Sequence, residues 1–173
     1  MTSRHYRISN CERVRLPSIP LTNPLDRWMI SEVHVLTAKM VDAYMRYDLQ
    51  TATRELLQFL DNLTNWYVRR SRRRFWKSEN DGDKLAAYNT LYVTLKDFCK
   101  LAAPIIPFIT EEIYKGLTNE ESVHLAMYPE FDRFRIDQKI SIDMKTTQEL
   151  ITLGLALRAR KKLRVRQPLA SIT

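Results

Sequence analysis

Asp61-Asn62-Leu63-Thr64-Asn65-Trp66-Tyr67-Val68-Arg69-Arg70-Ser71-Arg72-Arg73-Arg74-Phe75-Trp76-Lys77 is the stretch whose reading decides how this chain folds. It holds neither glycine nor proline, and Leu63 and Tyr67 continue an apolar stripe begun upstream by Leu56 and Leu60. Steps of three and four residues predict a single helix from Leu49 to Lys77, about 43 Å long at ~1.5 Å per residue. On a wheel of 100° per residue, Leu56, Leu60, Leu63 and Tyr67 define the inside. Asn62, Asn65, Arg69, Arg72, Arg73 and Trp76 fall on the opposite arc, with Trp66 at its margin. Arg74 projects within the apolar arc and Arg70 along its border. Those two are therefore expected to be buried or half-buried in ion pairs with acids on neighbouring helices, Asp42, Asp97 and Glu111 being the candidates.

Working outward, Asn23 followed by Pro24 reads as an N-cap and a proline at the first helical position, where its missing N–H costs nothing. Leu25, Trp28, Met29, Val33, Leu36, Met40, Tyr44 and Tyr47 then recur at helical spacing, and Asp48 is placed to cap the helix that follows. Beyond Lys77, Asn80, Asp81, Gly82 and Asp83 read as a turn. A third helix runs to about Ala102, Pro104 ends it, and Pro107 opens a shorter one over Phe108 to Leu117. Glu120 to Ile142 is mixed, with short extended pieces predicted at 122–125 and 139–142. Leu150, Leu153, Leu157 and Leu163 give a last helix from about Lys145, stopped by Pro168. Long amphipathic helices with short connections predict an all-α fold, an antiparallel bundle of four to five helices with a short irregular or extended segment before the last one. Residues 1–22 read as an irregular lead-in, 23–169 as the helical domain, and 170–173 as the start of a truncated C-terminal region.

Composition agrees. The chain has 173 residues, 45% of them apolar and 28% charged, enough for one closed core. Gly82, Gly116 and Gly154 are its three glycines, too scattered for a G-x-G-x-x-G turn or a P-loop and too few for a many-stranded barrel. Cys11 and Cys99 give neither a disulfide framework nor a zinc ribbon, which suits a reducing, cytoplasmic compartment. No segment approaches the ~18 apolar residues that cross a bilayer.

The net charge of +8 is concentrated rather than spread. Arg69, Arg70, Arg72, Arg73, Arg74 and Lys77 fill one nine-residue window; Arg158, Arg160, Lys161, Lys162, Arg164 and Arg166 fill another, and neither contains an acid. The two windows carry +12 between them, while the remaining 16 basic and 20 acidic residues sum to −4. A cluster of that density implies an acidic partner. Guanidinium forks, side-chain amides and an indole on one exposed arc suit RNA: arginines clamp phosphates, amides read base edges, and aromatics stack on unpaired bases. Trp66, Tyr67 and Phe75 are individually better explained as core, which leaves Trp76 as the stacking candidate. The second window closes a helix, where cations are favoured in any case. The alternation Leu163, Arg164, Val165, Arg166 predicts an extended exit aiming Arg164 and Arg166 to one side.

No catalytic constellation is present. His5, His34 and His124 are isolated, Glu111-Glu112 is explained as a helix start, and no Cys/His cluster offers a metal site.

Several strings together resemble the anticodon-binding domain of class I isoleucyl-tRNA synthetases. Asn23-Pro24-Leu25-Asp26-Arg27-Trp28 is similar to the family's opening helix, and the 61–76 string to its signature helix. Ala103-Pro104-Ile105-Ile106-Pro107-Phe108-Ile109-Thr110-Glu111-Glu112-Ile113-Tyr114, Glu121-Ser122-Val123-His124-Leu125 and Val165-Arg166-Gln167-Pro168-Leu169 resemble its remaining blocks. The proline-flanked block marks the wider class, which includes valyl, leucyl and methionyl enzymes; Asn65-Trp66-Tyr67-Val68-Arg69 resembles the isoleucyl form. The resemblance implies a helical bundle that grips the anticodon stem-loop of isoleucine tRNA while a separate catalytic domain of the same synthetase, using ATP and Mg, charges the tRNA. The catalytic signatures His-x-Gly-His and Lys-Met-Ser-Lys-Ser are absent, so this chain is expected to be a fragment without a catalytic site or cofactor of its own. Residues 1–22 depart from the family. The expected tRNA contacts are Asn62, Asn65, Trp66, Arg69, Arg72, Arg73, Trp76 and Lys77, with Arg160, Lys161, Lys162, Arg164 and Arg166 from the exit. The rival reading is a helical protein-interaction module whose basic faces meet an acidic protein; a membrane-surface role fits poorly, because the apolar helix faces are already needed for the core.

Overall fold

The computed structural model describes residues 22–77 and 81–168; most of the lead-in, Asn80 and residues 169–173 lie outside them. Helix α1 (Pro24–Met45) starts as its sequence dictates, with Asn23 Oδ1 accepting the Leu25 N–H at 2.9 Å and Pro24 in the first turn. It buries Trp28, Met29, Val33, Leu36, Met40 and Ala43 along one face. Its end comes two residues before Tyr47, which adopts a left-handed conformation (φ 55°). The Tyr47 and Asp48 N–H groups donate back to the carbonyls of Tyr44 and Ala43, satisfying acceptors that the helix end would otherwise orphan. Asp48 then caps α2 (Leu49–Asp61) by accepting the Thr51 N–H at 2.9 Å.

The predicted 49–77 rod is continuous but not uniformly α-helical. Between α2 and α3 (Arg69–Lys77), residues Asn62–Val68 form a π-helical segment. An i→i+5 turn inserts about one residue, which sets every later side chain back by about 100° on the wheel. Leu63, Tyr67, Ser71 and Phe75, spaced by fours, therefore all stay buried, whereas a pure α-helix would carry them progressively off the core.

Helix α4 (Asp81–Ala102) runs beside α1, α3 and α5, and Phe98 stacks on Phe59 of α2 with ring centroids 5.8 Å apart. Gly82 and Asp83, predicted as a turn, belong to its first turn. Helix α5 (Pro107–Thr118) ends at Asn119 in a left-handed conformation. Tyr114 anchors a second small core with Cys99, Ala103 and Val123. Burial pushes the Cys99 thiol up to about 11, so it packs as an inert apolar group.

No strand occurs among the described residues. The two predicted extended pieces are helical for identifiable reasons: carboxylates capture their N–H groups. Glu111 Oε2 accepts the Ser122 hydroxyl and the Val123 N–H (3.0 and 2.8 Å), folding Val123–Leu125 into a 3-10 turn. Asp137 accepts the Ile140 N–H and starts α6 (Gln138–Arg160) seven residues before the expected position. The Lys115 ammonium, 2.8 Å from Glu111, together with the Val123 and Ser122 donors, holds the Glu111 carboxyl down at about 2. The folded value lies below the unfolded one, so this stabilisation is complete above the ordinary glutamate range and is lost as the pH falls towards 2. Glu111→Gln should flatten the decline of stability across that acid range, measured by urea unfolding at stepped pH.

Helix α6 leans mainly on α1. Arg27 pairs with Asp137 at 2.6 Å, Asp137 N–H donates to Ser31 Oγ, and the Ser141 hydroxyl donates to Glu32. Ile140 and Met144 pack against the main core, and Gln148 Nε2 donates to Asn62 Oδ1 at 3.2 Å. Beyond Gln148 no residue of the helix is buried, and Leu150, Leu153 and Leu157, read from sequence as a core face, stand exposed. Helical spacing identifies an apolar face without saying whether a neighbour reaches it.

Candidate nucleic-acid interface

The site is built around one inward arginine. Arg74 Nη1 and Nη2 donate to the two carboxylate oxygens of Asp26 at 2.8 and 2.7 Å, and its Nε and Nη2 donate to Asp83 at 2.9 and 2.7 Å. Asp26 is fully buried and also accepts the Tyr67 hydroxyl at 2.8 Å. The hydrogen bonds to Asp26 raise the Arg74 pKa, and burial followed by the Asp26 charge pushes the Tyr67 phenol far up. Arg74 in turn holds the Asp83 carboxyl below its ordinary value. One guanidinium thus ties the first turns of α1 and α4 to α3 and fixes the rotation of α3 about its axis.

The expectation for Arg74 stands, but with different acids. Asp42 pairs with Arg46 and Glu111 with Lys115, while Asp97 sits half-buried near Lys100 and Lys96, its carboxyl pushed up by burial. Arg70 is corrected outright: the π segment rotates it out of the apolar border to the surface, where its guanidinium lies 5.3 Å from the Trp66 ring centroid.

With Arg74 turned in, Arg69, Arg70, Arg72 and Arg73 are exposed and have no carboxylate within 4.0 Å among the described residues. Trp76 is 70% exposed, set edge-on to buried Phe75, with the Arg72 guanidinium 6.0 Å from its ring. A half-open indole beside a guanidinium is a ready stacking platform. Asn65 is exposed and donates to Asp61 at 2.6 Å, whereas Trp66 is half-buried against the core. Asn62 departs from the arginine face: it is half-buried and turned towards α6. Lys77 closes α3, its side chain lying outside the described residues.

Arg160, Lys161, Lys162, Arg164 and Arg166 are exposed, but the predicted extended exit is not formed. Lys162 is left-handed (φ 54°), and Arg158 Nη1 donates to the carbonyls of Arg164 and Gln167 at 3.0 and 2.8 Å, gathering the chain into a turn. Four alternating residues are too few to specify extension against a guanidinium that collects carbonyls. Helix α3 packs on α4 and α6 on α1, so the two basic clusters stand on helices that are not packing neighbours.

Sequence reasoning missed Asp26 and Asp83 as the arginine's partners, and it missed the π segment. The spacing Leu63, Tyr67, Ser71, Phe75 was the available signal, since sustained steps of four do not fit 3.6 residues per turn.

The bundle thus saturates one arginine internally and turns four neighbouring arginines outward, with no carboxylate partner among the described residues. The chain belongs to the family described as the anticodon-binding domain of tRNA ligase, whose model matches residues 26–173. It is 47% identical over 155 residues to the isoleucine–tRNA ligase of Treponema denticola, and 43% identical over 150 and 155 residues to those of Chlamydia caviae and Treponema pallidum. These alignments cover 85–88% of this chain, which spans about 14% of each relative's length. No described helix is long and apolar enough to cross a membrane, and no group of three or more His, Cys, Asp or Glu among the described residues could hold a metal.

Proposed function

We propose that this chain holds the anticodon arm of isoleucine tRNA on behalf of a cytoplasmic isoleucine–tRNA ligase. The observation that carries the reading is the outward set Arg69, Arg70, Arg72 and Arg73, left without carboxylate partners among the described residues while Arg74 beside them is saturated. Arginines without internal partners serve phosphates, and Trp76 with Asn65 supplies stacking and hydrogen bonding to unpaired bases. The exit cations Arg160, Lys161, Lys162, Arg164 and Arg166 extend the charged surface on a second helix. ATP and magnesium belong to the catalytic part of such a ligase, and no step involving them is assigned to these residues. The exposed leucines of α6 and Phe108, 91% exposed at the start of α5, suit docking against the catalytic domain of the same polypeptide.

Titration with isoleucine tRNA and with a version whose anticodon loop is scrambled, at two salt concentrations, tests the reading. Neutralising about four to six phosphates should give a log–log salt slope of about −3 to −5. Binding insensitive to salt would overturn the reading, and equal affinity for both RNAs would reduce it to phosphate contact alone.

A further inference from the structure

Between α1, α2 and α6 lies an open groove of about 780 Å³, reaching from Ser141 to Leu153 on α6, whose chemistry differs from that of the arginine face. Side-chain amides reach it from three elements: Gln58 on α2, Asn62 at the start of the π segment, and Gln148 on α6. Asn62 Oδ1 and Gln148 Nε2 engage each other at 3.2 Å. Asn62 Nδ2, Gln148 Oε1 and both polar atoms of Gln58 make no hydrogen bond among the described residues, so donors and acceptors remain on offer.

The groove's formal charges cancel, with Lys39 and Lys145 set against Glu32 and Glu149. A phosphate entering it would meet as many carboxylates as ammonium groups, and a purely apolar segment would strand the amides. A neutral, planar group with donors and acceptors along one edge and two apolar faces fits both the amides and the walls formed by Val35, Ile142 and Leu153. That describes an unstacked nucleobase. Asn62 lies seven residues before Arg69 on the same rod, with the π-helical segment between them. The groove and the arginines share one rod but not one face, so a strand whose phosphates are held by Arg69 and Arg73 reaches the groove by passing round the rod.

We infer that this groove is a base-recognition pocket, taking one unstacked nucleobase of the bound RNA and reading its edge through Gln58, Asn62 and Gln148. The inference rests on the RNA-binding reading above and adds the place where sequence is read. The test uses the whole 173-residue chain, an isoleucine tRNA transcript and the same transcript with its anticodon loop permuted, followed by fluorescence anisotropy. Gln58→Leu should shrink the affinity ratio between the two RNAs by about 5- to 150-fold, the discrimination that a bidentate amide contact provides. The salt slope and the melting curve should not change. Gln148→Leu should act in the same direction, but it also removes a hydrogen bond that holds α6, so Gln58→Leu decides. Arg69→Ala is the contrast, lowering affinity for both RNAs and flattening the salt slope. An unchanged ratio in Gln58→Leu, with Arg69→Ala still weakening binding, overturns the pocket and leaves the RNA reading intact. Wild-type chain that binds both transcripts equally likewise overturns the pocket, and wild-type chain that binds neither overturns both.

Discussion

Replacing Arg74 by alanine is expected to destabilise the chain by about 3–5 kcal/mol, the usual consequence of removing one partner from a buried ion pair. Asp26 has no solvent exposure and would be left with the Tyr67 hydroxyl as its remaining side-chain partner, since the guanidinium supplies the other two short hydrogen bonds. Asp83 would be deprived of the same guanidinium in that step. Against a typical domain stability of about 5–15 kcal/mol, the change removes much of the margin. Arg74→Lys should recover little of it, because an ammonium cannot span two carboxylates with a planar fork. Urea unfolding followed by circular dichroism measures the effect, and a cost below about 1 kcal/mol would show that the three-helix tie contributes nothing.

The second large effect concerns binding. Each phosphate left without its arginine should reduce the salt slope by about one and, through counterion release alone, weaken binding about fourfold at ~0.15 M salt. Arg69→Ala combined with Arg73→Ala should therefore cost about 15-fold in tRNA affinity at that salt and flatten the slope by about two. Both side chains are exposed and carry no ion pair among the described residues, so the melting temperature should stay put. Affinity unchanged in this double variant would transfer the basic face to an acidic protein partner instead.

Much of the fold could be read from residue spacing. The Asn23–Pro24 start, the Asp48 cap and the Pro107 restart are local devices, each requiring a residue type at one position, and the structure uses all three. What stayed hidden was set by distant neighbours. A π turn has no compositional mark, yet it decides whether Arg70 faces inward or outward, so a wheel drawn at constant pitch placed Arg74 well and Arg70 badly. Asp26 carries no local sign of its role, because its partner lies 48 residues away. The extended pieces at 122–125 and 139–142 gave way to Glu111 and Asp137, which collect N–H groups that β-propensity would have left for a sheet. The candidate site was legible in charge density alone; the groove beside it depends on where α6 crosses α1, which no local pattern records.

Among the described residues the hydrogen bond of Gln148 is the outermost one from α6 to another helix, and α6 continues for twelve residues, about 18 Å at ~1.5 Å each. Its length sets Arg160 and the exposed cations that follow it well away from the contact with α1.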